Sequence, residues 1–350
     1  MQTVIRRAEP ADDFRTLAVQ VRAAGLLDRR LGYYWVKIVL TVGAFALGWA
    51  AFFALDASWA VLAVAVFLGL VQTQLGFLGH DAGHGQVFAS RRANRLLGLA
   101  VGNGLIGLSY GWWVAKHSAH HAHPNELDRD PDVGVGLIGA GSADGTDSGG
   151  RGLAGWLTRW HAELFFPLML LRSTGLYVSG GIDLFRRRNR GALVEVLVIT
   201  AYAAFYLTVV FWALPPLEAI IFIAVHQAVF SFYLGCSFAP NHKGMRIIEE
   251  SSGMSFAERQ VVTARNVTGG RCTGFVLGGL NYQIEHHLFP TMPRPNLPRA
   301  QDLVRAFCVE SGYGYCEERA IDSYRQATGR PPASPPHRRS ALALDGRQSP

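Results

Sequence analysis

The chain has 350 residues, of which 49% are hydrophobic and only 17% charged, with a net charge of +7. This balance, with a positive mean hydropathy, lies outside that of an ordinary soluble domain and fits a protein whose basic surfaces face anionic lipid. The sequence holds no recognisable nucleic-acid motif, and its four cysteines (Cys236, Cys272, Cys308 and Cys316) form no C-x-x-C pair, so they read as reduced and structural.

In chain order, residues 1–34 are polar and basic, with no short apolar run ending at a cleavage site. No Lys or Arg occurs between Lys37 and Arg91, nor between Arg190 and Lys243, and each gap is just over 50 residues long. A spanning helix needs about 20 apolar residues, so each gap predicts two spans joined by a tight turn. The first pair is read as 35–55 and 59–79, turning at Asp56-Ala57-Ser58, and the second as 193–213 and 217–238, turning at Pro215-Pro216. All 33 Lys and Arg residues lie in the N-terminal segment, the middle loop or the C-terminal region. The positive-inside rule then places these three regions in the cytoplasm and both turns outside.

Two shorter apolar stretches, Leu96–Leu108 and Leu164–Leu171, read as interfacial or buried segments rather than spans. The stretch Gly134–Gly152 reads as a flexible loop, and residues 329–350 as a disordered tail. The expected architecture is an all-α integral membrane fold: four transmembrane helices as two hairpins, with a cytoplasmic helical cap. Residues 35–328 form one membrane domain.

Seven of the twelve histidines fall in three short boxes: His80-Asp81-Ala82-Gly83-His84, His117-Ser118-Ala119-His120-His121, and Gln283-Ile284-Glu285-His286-His287. Spacing of i, i+4 or i, i+3, i+4 puts rings on one helical face. The charge map sets every box on one side of the membrane and adds His242, a few residues past the fourth span. Eight imidazoles exceed what one first-row ion takes, so two ions sharing them fit better. Imidazole suits Zn, Cu, Fe and Ni alike, which leaves the metal open. Asp81 after His80 removes a match to the H-E-x-x-H zinc proteases. No paired Glu-x-x-His motifs point to a carboxylate-bridged bundle. His123 reads as a surface or supporting residue, and His161 as interfacial. His226 lies inside the fourth span, too deep to share the metals, and reads as a neutral ring hydrogen-bonded within the bundle, with Tyr206 at a similar depth.

The boxes, their order and the paired spans resemble the membrane-bound fatty acid desaturases. The most specific stretch runs from Gly279 through Asn281, Tyr282, Gln283 and the third box to Pro290. Gln283 in place of a first histidine is similar to the front-end branch, as are Asn241-His242-Lys243-Gly244-Met245 and the run of Asn125, Asp128, Asp130, Pro131 and Asp132. The resemblance implies two non-haem irons held by His80, His84, His117, His120, His121, His242, His286 and His287, with Gln283 as a weak or water-mediated ligand. Asp81, Asp128, Asp132 and Glu285 become candidates to orient imidazoles. It also implies dioxygen-dependent insertion of a cis double bond into an acyl chain carried on CoA or a lipid.

On the same reading, Trp112, Trp113 and Phe77 are candidates to line the acyl tunnel, and Lys116, Lys243, Arg246 and Arg271 to meet a headgroup. Many relatives of that branch carry a fused haem cytochrome domain with His-Pro-Gly-Gly. That motif is absent here, so electrons are expected from a separate ferredoxin, or a free cytochrome with its reductase. A hydroxylase or ketolase on the same scaffold is the nearest alternative. A membrane metal or haem carrier without catalysis is a second.

Overall fold

A computed structural model describes residues 10–55, 58–133, 156, 159–248 and 253–333. Asp56 and Ala57 of the first expected turn, the glycine-rich stretch 134–152 and the tail from 334 lie outside the described residues.

Among the described residues, four helices are long and apolar enough to cross a membrane: α2 (Leu31–Ala54), α3 (Val61–Gly83), α8 (Arg190–Ala213) and α9 (Pro216–His242). At 1.5 Å per residue, 23 to 27 residues extend about 35–40 Å, enough for a hydrocarbon core of about 30 Å. α3 is the inner helix. Its most apolar window is 67% buried, against 22%, 17% and 39% for α2, α8 and α9. It packs most extensively on α9 and then on α2. Gly69 sets the approach of α3 to α9: a Cβ there would lie 2.9 Å from the His226 carbonyl and 2.9 Å from Val229 Cβ. Small residues allow such close backbone contact where lipid supplies no hydrophobic drive between helices. Outward side chains such as Val39, Leu40, Leu47, Leu197 and Trp212 remain exposed, as a lipid-facing surface requires.

The spans expected from the gaps in Lys and Arg have bounds within a few residues of these four helices, with one informative difference. The fourth was expected to stop at 238, but α9 continues through Pro240 to His242. A proline removes one backbone bond, and the carbonyl this frees, that of Cys236, accepts instead from Tyr324 Oη at 2.6 Å. His242 is therefore the final residue of the helix rather than part of a following loop.

Between the two pairs of long helices lie α4 (Arg91–Val101), a π turn (Gly102–Ile106), α5 (Tyr110–Ala122), α6 (His161–Met169) and α7 (Arg172–Arg186). Ser90 and Ser109 cap α4 and α5 by accepting from Ala93 N and Trp112 N. After α9 come α10 (Phe256–Val262), β1 (Asn266–Thr268), α11 (Arg271–Val276), α12 (Gln283–Leu288), a 3-10 turn (Arg294–Asn296), α13 (Leu297–Ser311), β2 (Glu317–Arg319) and α14 (Ala320–Ala327). A second apolar core joins these to α1 (Pro10–Ala23) through Leu17, Val21, Ile284, Leu288, Leu297 and Val304.

The all-α expectation needs one correction. β1 and β2 pair in parallel, Asn266 with Glu317 through Thr268 with Arg319. Three-residue strands carry no readable alternation, and this ladder joins segments about 50 residues apart. The four cysteines are free thiols.

Candidate metal centre

The three boxes and His242 converge at one end of the bundle. α3 carries His80 and ends at Gly83, leaving His84 at its C-cap. α5 carries His117, His120 and His121. α9 ends on His242, and α12 carries His286 and His287. The rings form two groups. His80, His84, His117 and His286 bring ligand atoms within 4.8 Å of one another, and so do His120, His242 and His287. His121 stands between the groups: its ring centroid is 4.5 Å from His84, 4.8 Å from His286 and 4.2 Å from His287.

The nitrogens face each other in a way that hydrogen bonding alone does not satisfy. His117 Nε2 lies 3.2 Å from both His80 Nε2 and His121 Nε2, and His120 Nε2 lies 3.4 Å from His242 Nε2. His84 Nε2, His286 Nε2 and His287 Nε2 are buried with no hydrogen-bond partner. Burial first, and then the neighbouring imidazoles, push the ring pKa of His84, His117, His121, His286 and His287 well below its ordinary value. Neutral rings are the form that binds a metal. Two nitrogens bound to one ion at about 2.1 Å, at angles between 90° and 110°, are themselves about 3.0–3.4 Å apart. The observed separations match. These residues therefore fit two metal ions, with His121 placed to serve either.

The far side of four of the rings is also held. His80 Nδ1 is 3.4 Å from Asp81 Oδ1, and His120 Nδ1 donates to Asp130 Oδ2 at 2.9 Å. His242 Nδ1 donates to the Thr263 carbonyl at 3.0 Å, and His287 Nδ1 to Gln260 Oε1 at 2.9 Å. An acceptor at Nδ1 fixes the proton there and leaves the Nε2 lone pair directed inward. Of these acceptors only Asp81 was singled out for this role from the sequence.

The other expected carboxylates differ. Glu285 accepts from Asn266 Nδ2 and Tyr315 Oη, each at 2.7 Å, and no imidazole bonds it. Burial pushes its pKa up to about 7. Asp128 is exposed in a left-handed turn (φ 66°), away from any imidazole bond. Asp132 lies near His120, but its bonds go to Lys116 and Arg172. Asp130 takes the role expected of these residues because Asn125 N and Asp132 N donate to its two carboxylate oxygens and fix it at His120. Gln283 approaches His242 Nε2 through its amide nitrogen at 2.9 Å, while its oxygen accepts from Asn241. The only atom of that amide able to bind a metal thus faces away in this rotamer. His123 bonds Glu126 at 2.8 Å, outside both groups. His226 Nδ1 and Tyr206 Oη are hydrogen-bonded at 2.8 Å, and Tyr206 is the partner expected at that depth. Its position 16 residues before His242 sets it about 24 Å away along α9.

The residues expected to meet substrate are placed unevenly. Trp113 stacks on His117, with centroids 4.7 Å apart and planes at 20°. Trp112 packs near Gly180 of α7. Phe77 is fully buried against Tyr233 and Phe238. Lys116 is committed to Asp132. Lys243 is half-buried, and burial lowers its pKa to about 8. Arg246 and Arg271 are exposed. A cavity of about 530 Å³ opens beside His84, lined in part by Arg91, Arg95, Tyr110 and Glu195.

Comparison with known proteins adds an independent line. The profile of the fatty acid desaturase family matches residues 57–319. The chain is similar to an acyl-lipid (9-3)-desaturase of Physcomitrium patens, 30% identical over 89% of this chain and 61% of that protein. It is similar to a delta-5 fatty acid desaturase of Caenorhabditis elegans, 33% identical over 91% of this chain and 72% of the relative. A delta-8 fatty acid desaturase of Arabidopsis thaliana is 31% identical over 87% of this chain and 70% of its own length. The chain thus spans between three-fifths and three-quarters of these relatives.

Proposed function

Because the chain belongs to the fatty acid desaturase family, we propose that it is a membrane acyl desaturase that inserts a cis double bond into the chain of an acyl-CoA or acyl lipid. The observation that carries this reading is the pair of buried imidazole groups at one end of four membrane-length helices. His80, His84, His117 and His286 would hold one iron, His120, His242 and His287 the other, and His121 would stand between. When bound, the irons would supply the oxidising power, with dioxygen and two external electrons, to remove two hydrogens from adjacent methylenes.

The protein's part is to arrange. Asp81, Asp130, Gln260 and the Thr263 carbonyl keep the rings of His80, His120, His287 and His242 turned inward. Trp113 covers His117 and excludes water from that side. Gln283 in the third box, together with relatives named for delta-5 and delta-8 positions, supports the front-end class, in which the new bond lies toward the carboxyl end of an existing one. The four apolar helices would lie as two hairpins, with the basic N-terminal, middle and C-terminal regions forming a cytoplasmic cap. The acyl chain would enter from the bilayer, and a separate ferredoxin or cytochrome would deliver electrons to that basic face.

The test is expression in cells supplied with dioxygen and polyunsaturated lipid, followed by mass spectrometry of acyl chains with the double bond located. Loss of two hydrogens from a chain supports the reading; gain of one oxygen assigns a hydroxylase instead. Purified protein should carry about two non-haem irons per chain, and one haem in their place would reject the proposal.

A further inference from the structure

Arg294 is a charged side chain only 7% exposed, in the 3-10 turn that follows the third box. A buried guanidinium is costly unless paired. Its Nη2 forms an ion pair with Asp81 Oδ2 at 2.7 Å and donates to the Phe77 carbonyl at 2.8 Å. The other oxygen of Asp81 faces His80 Nδ1 at 3.4 Å. A continuous polar path thus runs from a turn more than 200 residues away to the first histidine of the first group.

The surrounding residues are shaped for this path. The guanidinium lies over the Phe77 ring, 5.6 Å from its centroid. Gly279 has φ 82°, and a Cβ there would lie 2.4 Å from Arg294 Cγ. Gly278 has φ 62°, and a Cβ there would lie 2.4 Å from Phe77 Cγ. Any side chain at either position would invade the space of the arginine or of the ring beneath it. The turn is anchored from behind as well. Arg294 N donates to Tyr34 Oη at 3.2 Å, and Tyr34 donates to Gln86, which donates to the Pro290 carbonyl at 2.8 Å.

We propose that Arg294 is a positioning residue for the first histidine box. It holds Asp81 as a carboxylate against His80 Nδ1, which keeps the proton on that nitrogen and the Nε2 lone pair turned toward His84, His117 and His286. The C-terminal segment carrying box three thereby also sets the geometry of box one. Without the guanidinium, the buried carboxylate has no counter-charge and no fixed direction, and His80 is free to take the other tautomer. This rests on the metal reading above.

The experiment is ferrous iron binding by purified full-length protein, counted per chain, with Mössbauer spectra of the loaded state. Arg294→Gln keeps a donor for the Phe77 carbonyl and much of the volume over the ring. It should weaken one of the two iron sites by about 10–100-fold, the usual consequence of losing a partner behind a ligand, and alter one iron signal. Asp81→Asn should do the same. Their combination, which buries no unpaired charge, should be no worse than either alone, and Arg294→Lys should recover part of the loss.

Wild-type iron binding in Arg294→Gln would overturn the proposal. So would a double variant whose loss is the product of the two single losses, because packing alone predicts that independence. If Arg294→Gln is not recovered as monodisperse protein, the double variant and Arg294→Lys decide: full iron binding in the double variant, or no recovery in the lysine variant, rejects it. Failure of the unaltered protein to bind iron would instead reject the metal reading itself.

Discussion

Asp130→Asn is the sharpest test of how the second group of histidines is held. Asp130 is buried, and its Oδ2 accepts from His120 Nδ1 at 2.9 Å and from Asn125 N at 2.8 Å, while Oδ1 accepts from Asp132 N at 2.8 Å. The substitution keeps the shape but replaces one acceptor by a donor. Whichever way the amide turns, its NH2 faces a backbone N–H, that of Asp132 or that of Asn125; in the second orientation it also faces His120 Nδ1, which must then carry its proton on Nε2. That nitrogen then points a hydrogen at His242 Nε2, 3.4 Å away, and is lost as a ligand. Hydrogen bonds to a charged group are worth about 1.5–3 kcal/mol each. A 10–100-fold loss of metal affinity corresponds to about 1.4–2.7 kcal/mol, so one disrupted bond accounts for it. Iron titration of purified protein should show one site weakened by this factor and the other retained. Asp128→Asn, two residues earlier but exposed, should bind as the parent does. Equal losses in both variants, or none in Asp130→Asn, would refute the reasoning.

Further expectations concern single side chains. His120→Ala and His286→Ala should each abolish product while the protein stays in the membrane, whereas His123→Ala, whose ring bonds Glu126, should retain most activity; lipid analysis of membranes expressing each variant checks all three. Tyr206→Phe removes the bond to His226 and should lower stability in detergent by about 0.6–1.7 kcal/mol, with iron content unchanged. Glu285→Ala leaves Asn266 and Tyr315 without their shared acceptor. It should destabilise by about 1–3 kcal/mol, read as a lower melting temperature; lost iron at an unchanged melting temperature would return Glu285 to a role at the imidazoles.

The long helices were legible because a single property, the absence of Lys and Arg over two long stretches, is imposed on them by lipid and by nothing else in the chain. The same map brought His242 to the boxes and removed His226 from them. What lay beyond reading was decided by folded backbone. Thr263 orients His242 through a carbonyl, which no residue type announces. Gln260 supports His287 from a different helix, α10. Among the carboxylates at 128, 130 and 132, composition gave no preference. The left-handed residues Asn125 and Asp128 shape the turn, and Asp130 is the one directed inward at His120. Glu285 adjoins His286 in sequence, yet one helical step of about 100° is enough to aim it at Tyr315 instead.

That same step explains why two of the boxes contain doublets. Adjacent helical residues diverge by about 100°, so His286 can face the first group while His287 faces the second. His120 likewise faces the second group, leaving His121 between the two. The i, i+4 spacing does the opposite: His117 and His121 stay on one face, with Nε2 atoms 3.2 Å apart. α3 therefore contributes to the first group alone and α9 to the second alone, while α5 and α12 join them. It follows that His287→Ala and His242→Ala should empty the same iron site, and His84→Ala and His286→Ala the other. The Mössbauer spectrum of each variant should fall into one of two classes. Four different spectra, or one shared by all, would mean that the doublets do not divide the rings between two ions.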